Sequence, residues 1–505
     1  MNLIGLDVGT TGCKVSVFSP SGELLGFAKK EYGLITDEPG MAEQDLKSVW
    51  QITCESLGKA VFDSGIKEAR ALSISVQGDA IIPIDREFKA IHNAILGMDY
   101  RSEKQALRAG EIIGAGKLFR LTGMRAHPLN SLCKIMWLKE SKPEIYRRTW
   151  KFTTYADFFL ARLGDALFID YTMASRTMGF DLKRKRWSSQ ILEKLNVDSS
   201  LLSPARPSGE VVGEMHRTLR DSLGLKGKVL LVTGGHDQTC AALGAGILNE
   251  GRGVISTGTA EVLAAVLDKP LLNTVMFNSF YPCYLNVKKD TYFTFSLNHT
   301  GGLLLRWYRD NLACEEIREA EAKGADAYAG ILNGLPDGPS PVLILPHFNG
   351  SGTPGCDLSS KGAIIGLNLS TTRQEIVLAI LESLTYELRI NLETLRKAGV
   401  RIDELWAVGG GAKSPLWLQI KADILELPVR TLKVKETASL GAAILAGYGG
   451  GVFPTLEEGV ERMVSHGDTC YPRQGKSVRY RELYAVFKQI YPQLTAVNRR
   501  LTKYE

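Results

Sequence analysis

The 505-residue chain predicts an α/β protein of two large domains. Two observations carry this. The length is more than one hydrophobic core fills, and a strand–turn–strand device with a Gly/Thr turn occurs twice, at residues 3–18 and 253–267. Two matching hairpins half a chain apart indicate a duplicated domain, dividing the chain into residues 1–245 and 246–505.

The elements follow from periodicity. Residues 3–8 are apolar, Gly9-Thr10-Thr11-Gly12 turns, residues 14–18 alternate, and residues 23–30 return after Ser19-Pro20-Ser21-Gly22. This is a three-stranded antiparallel meander. Residues 44–64 carry Val49, Ile52, Leu57 and Val61 at helical spacing, and residues 69–76 read as a buried strand. Past the middle, residues 229–233 form a strand, residues 234–237 a turn and residues 237–247 a small-residue helix. Residues 253–256 and 260–267 flank Thr257-Gly258-Thr259. Residues 373–398 are helical, residues 405–408 form a strand running into Gly409-Gly410-Gly411, and residues 415–425 and 439–445 are helices. Residues 346–366 are rich in Gly, Ser and Pro and read as loop.

Composition excludes several classes. Apolar residues at 44% and charged residues at 23% are ordinary globular usage, so long disorder is not expected. A net charge of +6 is mild for this length, and the run Lys183-Arg184-Lys185-Arg186 reads as a solvated turn, not a nucleic-acid patch. Eight cysteines without a C-x-x-C pair read as reduced, buried thiols, which points to the cytoplasm. The seven histidines are dispersed and suggest no metal cluster. No apolar stretch reaches membrane-spanning length, and Asp7 breaks the N-terminal apolar run, so neither a membrane span nor a signal peptide is expected.

The candidate chemistry sits at strand ends. Asp7 ends a strand before Gly9-Thr10-Thr11-Gly12 and Lys14. A carboxylate there suits Mg²⁺, and converging amides with a nearby cation suit phosphate oxygens; an ordinary hairpin turn is the alternative. Thr257-Gly258-Thr259 repeats the logic. Gly409-Gly410-Gly411-Ala412-Lys413-Ser414 lets a flat ligand approach the backbone, or simply joins strand to helix tightly. No P-loop motif is present. Asp237, after Gly235-His236 and at a helix start, is either an N-cap or a general base at a cleft. Gln77-Gly78-Asp79, following a strand, can hydrogen-bond vicinal hydroxyls. Asp99 and Arg101 sit similarly, with a surface ion pair as the plainer alternative. Trp137 and Trp307 read as core residues.

Together these segments resemble the FGGY carbohydrate kinases, a branch of the actin-like, Hsp70-like ATPase superfamily. The resemblance runs along almost the whole chain in order. Asp7-Val8-Gly9-Thr10-Thr11 and Ser256-Thr257-Gly258-Thr259-Ala260 resemble the two phosphate hairpins, and Gly301-Gly302 precedes Trp307 as in the family. Ser131-x-x-Lys134-Ile135-x-Trp137-Leu138 resembles the N-terminal signature, with departures at Leu129 and Ser141. Gly362-x-Ile364-x-Gly366-Leu367, then Glu375-Ile376-x-x-Ala379-Ile380-Leu381-Glu382, resembles the second signature. The resemblance implies two ribonuclease-H-like domains with ATP and sugar in the cleft between them. It implies Asp237 as general base and Asp7 as Mg²⁺ holder. It implies nucleotide contacts from Gly9, Thr10, Thr11, Lys14, Thr257, Gly258, Thr259, Gly302, Gly410, Gly411, Ala412 and Ser414. Gln77, Gly78, Asp79, Asp99, Arg101 and His236 would meet the sugar. Gln77-Gly78-Asp79 stands where xylulose kinases typically have Gln-Met-His and glycerol kinases Gln-Arg-Glu, and is closer to erythritol-type kinases. The expected activity is ATP-dependent phosphorylation of a ketopentose such as xylulose, or of a related C4–C6 ketose or alditol such as erythritol. A catalytically silent ATP-binding sensor is the alternative. Expected partners are the sugar or polyol and ATP, a second copy of the chain being allowed, with no nucleic acid and no membrane.

Overall fold

The computed structural model describes residues 1–504. In the first half, β1 (Asn2–Val8), β2 (Gly12–Phe18) and β3 (Leu24–Glu31) form the antiparallel meander. Helix α1 (Leu46–Ser64) starts at Asp45, whose carboxylate accepts from the Lys47 and Ser48 amides, and leads into β4 (Ala69–Val76). Helices α2 (Ser131–Ser141) and α3 (Tyr171–Arg176) precede β5 (Val211–Glu214) and β6 (Leu230–His236). These strands make a six-stranded sheet in the order β5-β6-β4-β1-β2-β3, with β1, β4 and β6 parallel.

The second half repeats the plan. After α4 (Asp237–Gly244) come β7 (Gly251–Thr257), β8 (Glu261–Leu267), β9 (Tyr284–Leu285) and β10 (Tyr292–Asn298). Helix α5 (Arg373–Lys397), closed at its start by a Thr372–Glu375 capping box, leads to β11 (Ile402–Gly409), α6 (Pro415–Leu425), β12 (Val429–Leu432), α7 (Thr437–Gly449) and β13 (His466–Cys470). The sheet order is β9-β10-β8-β7-β11-β12-β13. In both sheets an antiparallel meander is extended by parallel pairing on its first strand. The duplication read from the two hairpins is therefore a duplication of whole sheets.

The halves exchange a helix. Helix α7, from the second half, covers the first sheet: Leu440, Ala443, Ile444 and Leu445 share a core with Leu3, Ala71 and Val232. Helix α4 and Ala245, from the first half, cover the second sheet: Ala242 and Ala245 pack with Val254, Val262 and Val408. The two helices also cross each other at backbone distance. A Cβ on Gly441 would lie 1.9 Å from the Cys240 carbonyl oxygen, and one on Gly244 the same distance from that of Thr437. Gly5 of β1 meets the Ser439 carbonyl at 1.8 Å in the same sense.

Two local expectations change. Residues 234–237 are not a turn, because β6 runs through both glycines to His236. Gly234 stays in the strand since a side chain there would strike the Ile74 backbone of β4. The cysteines are all free as expected, but Cys314 is exposed and Cys54, Cys356 and Cys470 are only partly buried. Among the described residues, no helix is long and apolar enough to cross a membrane.

The helix exchange predicts a sharp positional effect. Gly5→Ala should cost about 1–3 kcal/mol or more, since the intruding methyl meets backbone that cannot rotate away. Gly33→Ala, with nothing within 4 Å of the new Cβ, should stay within about 0.5 kcal/mol of wild type. Urea unfolding of both variants is the check.

Candidate active site

Parallel pairing puts the first half's candidate residues at one edge. Asp7 lies opposite Ser75, and Gly235 and His236 lie opposite Ser75 and Val76. The carboxyl ends of β1, β4 and β6 thus present Asp7, Gln77 and Asp237 side by side, where open α/β sheets bind ligands. Across from them, Thr257 pairs with Gly409 at the ends of β7 and β11.

Asp237 is the first residue of α4; the capping position is His236, so the N-cap alternative is set aside. About a third of its side chain is open, while Oδ1 is buried without a hydrogen-bond partner. Loss of water and then the Asp7 charge push its pKa up to about 7, with Arg176 opposing. His236 Nε2 lies 3.2 Å from Asp237 Oδ1, and its Nδ1 is 2.9 Å from the Tyr284 hydroxyl. Burial drives the His236 pKa well down, so the ring is neutral. The His236 amide donates to Thr172 Oγ1 at 2.7 Å, and that hydroxyl donates to Asp170. Helix α3 therefore holds the strand end that carries Asp237.

Asp7 accepts from Ser75 Oγ at 2.7 Å, and burial raises its pKa. The Asp7 carboxylate lies near enough to Asp237 to raise its pKa, and two neighbouring carboxylates at one sheet edge suit a cation. Among the described residues no group of three or more His, Cys, Asp or Glu could form a metal cage.

The Gln77–Asp79 segment is ordered by Ser131 and Lys134 of the N-terminal signature, and by Arg176, which sequence reasoning missed. Asp79 adopts a left-handed backbone, φ 67°, and its carbonyl accepts from Lys134 Nζ at 3.1 Å and Ser131 Oγ at 3.2 Å. Lys134 is fully buried, which lowers its pKa to about 8. Asp79 Oδ2 pairs with Arg176 Nη2 while Oδ1 has no partner. Arg176 Nε and Nη1 are likewise buried and unpartnered. A Cβ on Gly78 would strike His236 Nε2 at 2.8 Å and Arg176 Nε at 2.9 Å. Gly78 is thus the gap that lets these side chains converge. Arg176 sits in an unremarkable stretch, Tyr171–Arg176, with no motif to flag it. A cavity of about 370 Å³ opens beside it between the halves, lined by Arg125, Asn130, Phe280, Phe295 and His299 among others.

Asp99 and Arg101 are not a surface pair. Asp99 is fully buried and accepts from the Ala42 amide and from Arg101, which also reaches Glu43 and lies 4.9 Å over the Trp137 ring. Burial follows because this pair pins the loop at 97–101 to Ala42. Gln77 Nε2 donates to Gln44 Oε1 at 3.0 Å.

On the nucleotide side, the Gly9 amide closes its hairpin on the Gly12 carbonyl at 3.0 Å, and Gln44 holds the Thr10 carbonyl at 2.6 Å. Thr11 is exposed at the tip, and Lys14 is ion-paired at 2.7 Å with Glu436, just before α7. The Gly302 amide donates to the Gly258 carbonyl at 2.8 Å, and a Cβ on Gly302 would lie 2.7 Å from that oxygen. Thr259 lies at the hairpin tip and receives the Gly301 amide on its carbonyl. Gly410, Gly411 and Ala412 form a short 3₁₀ turn, and Ser414 caps α6 through the Trp417 amide.

Carboxylates and a glycine hairpin on one sheet, with a second glycine hairpin and a glycine loop on the other, define a phosphotransferase of the actin-like ATPase fold. Residues 2–244 match the N-terminal domain, and residues 253–450 the C-terminal domain, of the FGGY family of carbohydrate kinases. The chain belongs to the FGGY family of carbohydrate kinases, and is an ATP-dependent sugar phosphotransferase. It is 29% identical over 504 residues to the xylulose kinase of Bacillus subtilis (strain 168), covering 99% of each chain. It is 26% identical to the gluconokinase of Bacillus licheniformis, covering 96% of this chain and 94% of that one. The crystal structure of ligand-bound xylulose kinase from Lactobacillus acidophilus shares the fold, with a TM-score of 0.89, 23% identity and 99% coverage of both chains.

The raised Asp237 pKa predicts a pH profile. A general base accepts a proton only when ionised, so with Asp237 in that role kcat/KM for the sugar should fall on the acid side, with a midpoint near the Asp237 value of about 7. A flat profile between about pH 5.5 and 8 would exclude Asp237 as the titrating group.

Proposed function

We propose that the enzyme phosphorylates a small neutral ketose or alditol, a ketopentose such as xylulose or a C4–C6 relative such as erythritol, with Asp237 as general base. One observation carries this reading. Asp79 Oδ1, Asp237 Oδ1 and Arg176 Nε and Nη1 are buried polar atoms without partners, gathered around the gap at Gly78. Such atoms are costly to leave unpaired, so the set is complete only with a ligand. Acceptors beside donors match vicinal hydroxyls or a hydroxyketone. Gln77, Asp99 and Arg101 would shape this pocket, and His236 would face the substrate beside the base.

In the reaction the sugar hydroxyl oxygen forms a bond to the γ-phosphorus, the bond from that phosphorus to the β–γ bridging oxygen breaks, and ADP leaves. The hydroxyl proton passes to Asp237. A neutral His236 suits this step, since it places no positive charge that would hold Asp237 in its ionised form against protonation. Gly9, Thr10, Thr11 and Lys14 on one side would cradle the phosphates, and Thr257, Gly258, Thr259 and Gly302 on the other. Gly410, Gly411, Ala412 and Ser414 would receive the adenosine. Mg²⁺, when bound, would neutralise phosphate charge, with Asp7 holding it through water.

Asp237→Asn should lower kcat by about 10²–10⁴-fold while ATP and sugar still bind. Near wild-type turnover would remove the centre of the proposal. The substrate is found by ADP release over a panel of xylulose, erythritol, gluconate and other C4–C6 sugars. On that panel Arg176→Met should reorder the sugars and leave KM for ATP within about twofold. A changed ATP KM with an unchanged ranking would place Arg176 outside the sugar pocket.

A further inference from the structure

Beneath the second hairpin lies a buried charge pair that the reaction itself does not use. Lys421 of α6 donates to Glu261 Oε1 of β8 at 2.8 Å, and both side chains are fully inaccessible. Thr257, the last residue of β7, is drawn into the pair. Its hydroxyl accepts from Lys421 Nζ at 2.7 Å and donates to Glu261 Oε1 at 2.6 Å. Lys421 Nζ also rests 4.5 Å from the Trp417 ring centre, and Glu261 Oε2 has no partner. Buried ion pairs are weak sources of stability, because desolvation offsets the attraction. Two apolar side chains would fill this space at least as well, so the pair calls for another role.

The surroundings supply one. Thr257 is the wall that the second hairpin and the glycine loop share. A Cβ on Gly411 would lie 2.7 Å from Thr257 Cβ, and one on Gly409 would lie 2.6 Å from the Thr257 carbonyl oxygen. Lys421 belongs to the helix that follows the glycine loop, and Glu261 to the strand that follows the hairpin. The hydroxyl's one proton goes to Glu261, and one of its lone pairs takes a Lys421 proton. It therefore has no proton left to offer a phosphate oxygen.

We propose that Lys421 and Glu261 are positioning residues for the nucleotide: through Thr257 they lock the spacing between the hairpin at 257–260 and the glycine loop at 409–413. The proposal rests on the assignment of both loops to ATP. Thr257 then serves ATP through its fixed backbone, with its side chain turned inward.

Calorimetric titration with a non-hydrolysable ATP analogue tests this on wild type, Thr257→Val, the double variant Lys421→Met/Glu261→Met, and the triple combination. The double variant leaves no lone ion buried, and its thermal unfolding midpoint shows whether it folds. Folded double variant should bind the analogue about tenfold more weakly, with the sugar KM within about twofold of wild type. Adding Thr257→Val should cause no further loss, because both changes break one linkage. Wild-type nucleotide affinity in the folded double variant overturns the proposal. An additive loss from Thr257→Val overturns it too, since the hydroxyl would then touch the nucleotide directly. Should the double variant fail to fold, Glu261→Gln keeps the shape and carries the test. Weakening of about fivefold or more supports the proposal, and unchanged affinity defeats it. A wild-type protein that bound no analogue would instead remove the nucleotide assignment beneath it.

Discussion

The structure depends on one close contact: two helices, each borrowed from the other half, crossing between two sheets with no side chain at the points of approach. Gly5, Gly244 and Gly441 each face a carbonyl oxygen where a Cβ would lie under 2 Å away. Packed interiors do not deform to admit a methyl at such distances. This contact sets the separation of the sheets, and so fixes how far the strand ends bearing Asp7 and Asp237 stand from those bearing Thr257 and Gly409. Phosphoryl transfer is mostly a matter of position and charge, so this geometry matters more than any single catalytic group.

The site is built under electrostatic tension. Burial and the Asp7 charge raise the Asp237 pKa, and Asp79, Asp237 and Arg176 hold polar atoms with nothing to bond. A self-satisfied pocket would be more stable and less receptive. Helix α3 holds the arrangement at both ends, through Thr172 to the His236 amide and through Arg176 to Asp79. Substrate and nucleotide would complete the missing bonds.

Much of this was legible in the sequence, and the rest was hidden for identifiable reasons. The hairpins, the meander and the helix after Asp45 were readable because turn chemistry and periodicity are local. The strand through Gly234-Gly235 was not, because those glycines answer to the Ile74 backbone of a neighbouring strand, not to a turn. Asp99 with Arg101 looked superficial because burial depends on Ala42 and Trp137, far off in sequence. Arg176 carried no local signal at all. Glu261 did carry one: it is a charge on an otherwise apolar strand, a pattern that demands a partner, here Lys421. The helix exchange was beyond reach, since small residues in 439–445 mark a close approach without saying to what.

That exchange also bears on how the chain is made. The first sheet's inner face is covered by Leu440, Ala443 and Ile444, which come long after residue 245 in the chain. On the ribosome, residues 1–245 emerge long before α7 does. Their apolar face, around Leu3, Ala71 and Val232, stays without its lid until α7 itself has been synthesised. At about 5–20 residues per second, that is an interval of order ten seconds or more with exposed hydrophobic surface. A nascent chain of this design offers that face to aggregation in the interval, and fragments ending before residue 437 would leave it bare.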